Sequence, residues 1–199
     1  MRRLVWLLCS AALVAGCSDS HPPKMTMEDM NKKPAPAPEL SKLNRFVGNW
    51  SGTADLVKPT AAEMQKMMPA GSPAPTTHFN GAESYQWTMD GFFLKVEGWH
   101  DRGNGQRENF SGVCGWNAAG KTYWSGMITN WGGSGHGTMT ADADGRTFHF
   151  TGEEMDANGR PMKSKGMVRF VDDNTMDWSF SGTGPMGPLE MKGTMKRSM

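Results

Sequence analysis

Glu83 stands out among the residues able to do chemistry. Strict alternation puts it in phase with Phe79, Tyr85, Trp87 and Met89, so its carboxylate shares the apolar face of a strand. A carboxylate on such a face needs a partner or a polar ligand, because burying it unpaired is costly. There it would be a polar anchor at the base of a pocket, with Tyr85 beside it and walls from Trp50, Trp87, Trp116 and Trp178. A strand shift or bulge near Gly81 would instead turn Glu83 outward, and the sequence leaves both readings open.

Methionine offers a second chemistry. Met25, Met27 and Met30 stand with His21 in one stretch, and Met64, Met67 and Met68 in another; soft thioethers at such spacing suit Cu(I). The plainer reading is apolar filling, since the chain has 18 Met and a single Ile, and no metal site is assigned. A small barrel can hold a haem on one histidine, and His78 and His100 lie near strand ends. Isolated surface histidines are the simpler account, and His149, between Phe148 and Phe150, should face solvent. The run Gly182-Thr183-Gly184-Pro185-Met186-Gly187 spells a dinucleotide fingerprint, but it lies between strand-like segments with no helix to follow, so it reads as a turn. Gly132-Gly133-Ser134-Gly135-His136 misses the nucleophile elbow, which needs Gly where His136 stands. The sequence contains no metal-binding His or Cys pair spacing and no complete calcium loop. No cofactor and no catalytic residue is assigned, and the reading leans away from an enzyme.

The N-terminus carries an address. Arg2 and Arg3 precede a mostly apolar stretch from Leu4 to Val14, which is too short to span a bilayer. The ending Leu13-Val14-Ala15-Gly16-Cys17 resembles a bacterial lipobox, whose cysteine thiol receives a diacylglycerol and becomes the new N-terminus. Residues 1–16 are therefore expected to be a lipoprotein signal peptide, with Cys17 acylated, the membrane as partner through that lipid, and a location in the bacterial cell envelope. With Ser18 and Asp19 following, the destination in a Gram-negative host would be the outer membrane, facing the periplasm. Cys9 would leave with the signal and Cys17 take the lipid, so Cys114 stays alone without a disulfide. Residues 17–39, with Pro34, Pro36 and Pro38 alternating with Ala, read as an extended tether.

The 199 residues carry 21 basic and 20 acidic side chains, a balance that argues against nucleic acid as a partner. Eight Trp and nine Phe beside 25 Gly disfavour both a helical bundle and a disordered chain. Residues 40–199 form one domain of this composition. A short helix is expected over Glu39 to Phe46, followed by alternating segments that include Phe92, Leu94 and Val96, then Phe110, Cys114 and Trp116, then Met176, Trp178 and Phe180, then Leu189, Met191 and Met195. Met89, Met176, Met191 and Met195 fall in phase with these strand cores. Turn pairs such as Asp144-Gly145 and Asn158-Gly159 separate the segments. The pattern is that of an all-β protein, an antiparallel barrel or a β-sandwich. Residues 60–75 interrupt it with a helical turn at Thr60 to Met68 and a Pro-rich loop, an insertion between the first two strands that could serve as a lid.

Several motifs together resemble an uncharacterised bacterial family, domain of unknown function 1579. They are Phe46-Val47-Gly48-Asn49-Trp50, Asp90-Gly91-Phe92-Phe93-Leu94, Gly115-Trp116-Asn117 with Lys121-Thr122-Tyr123-Trp124, and Asp172-Asp173-Asn174-Thr175. The resemblance implies a calycin-like (lipocalin-like) up-and-down barrel of about eight to ten strands. It brings no activity with it. By fold analogy the barrel is expected to bind a small apolar or amphipathic ligand, with a structural or accessory envelope lipoprotein of filled interior as the alternative.

Overall fold

The computed structural model describes residues 26–27, 31–103, 105–184 and 187–198. Cys17, His21, Met25 and Met30 lie outside them, as do Pro185 and Met186 of the turn between the last two strands. The chain divides into two units, Met1–Ala35 and Pro36–Met199. In the first, Met27 is exposed. The second starts a few residues ahead of the expected boundary at 40, because its first element already begins at Pro38.

That element is a 3-10 helix, Pro38–Arg45, started by a proline in its first turn and carrying Leu40 and Leu43 as its buried face. Ten strands follow: β1 (Gly48–Lys58), β2 (His78–Thr88), β3 (Phe93–Gly103), β4 (Gln106–Asn117), β5 (Thr122–Thr129), β6 (Ser134–Ala141), β7 (Thr147–Met155), β8 (Pro161–Phe170), β9 (Thr175–Gly184) and β10 (Gly187–Ser198). Each pairs antiparallel with the next, and β10 returns to β1, so the sheet closes into an up-and-down barrel rather than splitting into a sandwich. Closure leaves no strand edge exposed. Between β1 and β2 the short helix α1 (Ala61–Met67) starts at a capping box formed by Thr60 and Glu63 and buries none of its residues.

Register fixes what looks inward. Trp50 lies opposite Glu83 on β2 and Arg197 on β10, Leu94 opposite Cys114, and Phe148 opposite Val168. Met89 departs from the expected alternation. Strand β2 stops at Thr88, and Met89 begins a tight turn with φ of 49°, which leaves its side chain exposed. The inner wall also carries glycines at which the strands approach too closely for a side chain. A Cβ on Gly166 would sit 2.2 Å from the Ser179 carbonyl oxygen and 2.3 Å from the Phe150 ring, so the aromatic covers the bare backbone there.

One end of the barrel is sealed. The helix lies across it, and Phe46, just after the helix, packs its ring 4.9 Å from both Phe148 and Phe170 and 5.4 Å from Tyr85. With Leu40, Leu43, Trp50, Leu94, Tyr123, Met176 and Met195 these form the buried core. Polar contacts hold the stopper down. Tyr123 OH donates to the Glu39 carbonyl at 2.7 Å, Trp87 Nε1 to Asn44 Oδ1 at 2.8 Å, and Trp50 Nε1 to the Phe46 carbonyl at 2.7 Å. Arg197 completes the seal. Its guanidinium lies 4.4 Å from the centre of the Trp50 ring and donates to the carbonyls of Val47, Arg45 and Asp173.

Two measurements test this core. Arg197→Ala leaves those carbonyls short of a donor and should lower unfolding stability in urea by about 2–3 kcal/mol, with Lys restoring only part because it cannot fork between them. Cys114 packs against the same core, and burial pushes its thiol up to about 12, so it should resist alkylation at pH 8 until denaturant is added.

Candidate functional site at the barrel mouth

Among the described residues no such stopper covers the opposite end, and many of its inward apolar side chains are only half-buried, with Phe110, Glu108 and Ser164 buried among them. By register Leu56, Phe79, Phe150, Met162, Phe180 and Met191 face inward there, and each is half-buried. Apolar side chains left partly open inside a barrel form a cup and not a core. A groove of about 510 Å³ lies on the rim of this end, across the β5–β6 and β7–β8 hairpins, and its walls combine inward-facing Met127, Glu154 and Met162 with outward-facing Ile128, His136, Glu153 and Lys163.

Glu83 faces inward. No shift interrupts the β1–β2 register, so it stays in phase with Phe79, Tyr85 and Trp87, and 18% of its side chain is exposed. Tyr85 OH donates to Glu83 Oε2 at 2.6 Å. Burial, and then the Glu83 charge, push the Tyr85 phenol well above its usual range, so it remains a hydrogen-bond donor. Glu83 Oε1 looks toward His100, whose Nε2 lies 3.8 Å away, beyond hydrogen-bond reach. The His100 ring is half exposed and stacks on Phe110 with ring centres 4.7 Å apart.

Two further carboxylates face the lumen. Glu108, opposite His100 on β4, pairs with Arg102, whose guanidinium also lies 5.3 Å from the centre of the Trp131 ring. Glu154 on β7 accepts from Ser164 Oγ at 2.8 Å. Burial raises the Glu154 carboxyl above its ordinary 4.5, the Ser164 bond lowers it, and the facing Glu108 charge raises it again. Among the described residues no group of three or more His, Cys, Asp and Glu side chains is arranged to hold a metal ion.

The remaining expected site residues go elsewhere. Trp50 is a fully buried part of the seal, and Trp87 and Trp116 pack against that core, Trp116 with its ring 5.0 Å from Tyr123. Trp178 also packs against the core, and its ring lies over Gly193. They therefore stopper and pave the barrel instead of walling the cup, because each sits toward the helix-covered end of its strand. Met64 and Met67 lie on α1, and Met27 belongs to the other unit. His78 bonds Asp55 at 2.8 Å, and His149 is exposed within 3.5 Å of Asp142. His100, expected near a strand end, lies at the mouth, while Glu108, Glu154 and Ser164 are not among the sequence candidates, although parity with Phe110 and Phe150 carries the signal for Glu108 and Glu154.

The Glu154 carboxyl has a consequence for stability. The folded protein holds this proton more tightly than the unfolded chain does. The group's contribution is therefore full below about pH 4.5 and is lost as pH rises through the folded value. Glu154→Gln should accordingly be more stable than the unaltered protein at pH 7, with the gain vanishing toward pH 4 in urea titrations.

Comparison with known proteins agrees with the barrel. Rv2717c from M. tuberculosis superposes with a TM-score of 0.59 at 13% identity, covering 83% of this chain and all of that one. The S-type phycobiliprotein lyase CPES from Guillardia theta gives 0.49 at 12% identity, over 80% of this chain and 92% of its own. A de novo designed fluorescence-activating β barrel gives 0.41 at 11%, over 78% and 95%. At 13% identity the likeness to Rv2717c is one of fold alone. No curated protein matches the sequence. The family model described as protein of unknown function (DUF1579) matches residues 35–197, the whole barrel with its stopper. The chain therefore belongs to the DUF1579 family.

Proposed function

We propose that this protein binds a small apolar or amphipathic ligand in the open half of its barrel. The observation that carries the reading is the contrast along the barrel axis. One half holds the main cluster of buried aromatics, while the other, though it buries Phe110, Glu108 and Ser164, leaves Leu56, Phe79, Phe150, Met162, Phe180 and Met191 half-buried near Glu83, His100 and Glu154. A solid structural barrel would have no reason to leave that lining unpacked, since each such side chain forgoes burial that stabilises a fold. The apolar walls would take the body of the ligand and the lumenal polar groups would fix its orientation.

We further propose that the domain works at the cell envelope, held by a lipid on Cys17 and the Pro-rich segment after it. The support is the sequence alone: the basic start, the apolar stretch and the small residues before that cysteine.

The ligand reading is tested by mass spectrometry of the protein purified gently from its native host, together with thermal shift across lipids and metabolites. A co-purifying small molecule is expected, and a binder at a hundredfold excess over its Kd should raise the melting temperature by about 5 °C. An empty native sample with no shift from any compound would overturn it. The anchor is tested separately: Cys17→Ser should move the protein from the membrane to the soluble fraction, and an unchanged distribution would sink that reading.

A further inference from the structure

We infer that the ligand of this cup is an amphipathic amine, taken up with its cationic head against Glu83. The inference rests on the ligand-binding reading above and adds the chemical class.

The argument starts from what the lumen has left to offer a head group. Glu83 sits beside apolar walls formed by Phe79 on its own strand and Phe110 two strands away. Its Oε2 is occupied by the Tyr85 hydroxyl, which fixes the carboxylate's orientation. Among the described residues no side chain hydrogen-bonds its Oε1, which pairs loosely with His100, Nε2 lying 3.8 Å away. A carboxylate held rigid by one oxygen and open at the other is a directional acceptor, and charge-assisted bonds to it are the strong kind. Both lone pairs of Oε1 suit an N–H donor, and a positive donor gains most where solvent is thinned by surrounding aromatics.

The charges around it point the same way. The groups facing the lumen here are Glu83 and Tyr85 on β2, His100 and Arg102 on β3, Glu108 on β4, and Glu154 on β7 beside Ser164 on β8. The Arg102 guanidinium pairs with Glu108 and lies over the face of Trp131, and His100 is the basic side chain nearest Glu83, 3.8 Å from it. Glu154 accepts from the Ser164 hydroxyl and faces the Glu108 charge. An anionic amphiphile would therefore bring its charge toward unneutralised carboxylates, whereas an amine would supply the missing counter-charge. An uncharged amphiphile would satisfy the walls and gain less from Glu83.

The experiment compares three amphiphiles with the same ten-carbon tail: decylamine, decanol and decanoate, titrated below their micelle concentrations at pH 7 into the whole domain and followed by calorimetry. Decylamine should bind about tenfold more tightly than decanol, the worth of one charge-assisted hydrogen bond, and decanoate more weakly than either. Glu83→Gln should remove the advantage of the amine and leave decanol unchanged. If decanol or decanoate equals or exceeds decylamine, or if Glu83→Gln keeps the preference, the amine proposal fails while ligand binding stands. If none of the three binds, the amine proposal falls, and the ligand-binding reading rests on the native-sample test alone. Should the variant not fold, the order of the three compounds on the unaltered protein decides the matter.

Discussion

The whole architecture depends on how the barrel is stoppered. A sheet closed on itself has no edges to protect, but it has two ends, and a hydrophobic interior open at both would be filled by water. Here the helix before β1 covers one end, and Arg197 fastens it by stacking on Trp50 while bonding three backbone carbonyls. The guanidinium suits this place because its planar face rests on an aromatic ring while its edge donates in several directions. A lysine could do one of these at a time.

Once one end is sealed, the other is free to remain loose. The aromatic stopper supplies the tight packing that fixes the strand register, so the mouth half needs less of it. Polar residues can then face inward near the rim, where each is satisfied: Glu83 by Tyr85, Glu108 by Arg102 and Glu154 by Ser164. A hydrogen-bonding or ionic partner lowers the cost of holding each carboxylate inside the barrel, although at Glu83 and Glu154 that partner is a hydroxyl and not a counter-charge. The glycines of the inner wall assist by letting strands coil sharply, with rings such as Phe150 laid over the exposed backbone.

Period-two alternation made much of this legible before any coordinates. The parity of Phe110, Cys114 and Trp116, or of Met176, Trp178 and Phe180, states which face of each strand is inside, and Asp-Gly and Asn-Gly pairs mark the turns. Alternation says nothing about height along the barrel axis, however. Trp50 and Glu83 are inward neighbours in register, yet one belongs to the seal while the other is part of the cup. That distinction depends on which end the helix covers, a tertiary fact with no local signature. Met89 shows the converse limit, since a turn begun one residue early ends the alternation and exposes a side chain that parity had placed inside. The pairing of Arg197 with Trp50 is likewise invisible, because nothing near either residue names the other.

That pairing joins positions close to the two ends of the domain. Every other strand contact is between neighbours in sequence, so nine hairpins can form as the chain grows while the seam between β1 and β10 has to wait. Loop closure of this length is entropically the most demanding step in such a fold. The seam also carries Arg197, so the residue that fastens the stopper reaches its place only when the last strand docks. Until that moment the aromatics of the closed end lie in an open, curling sheet, and the docking of β10 decides when the interior leaves water.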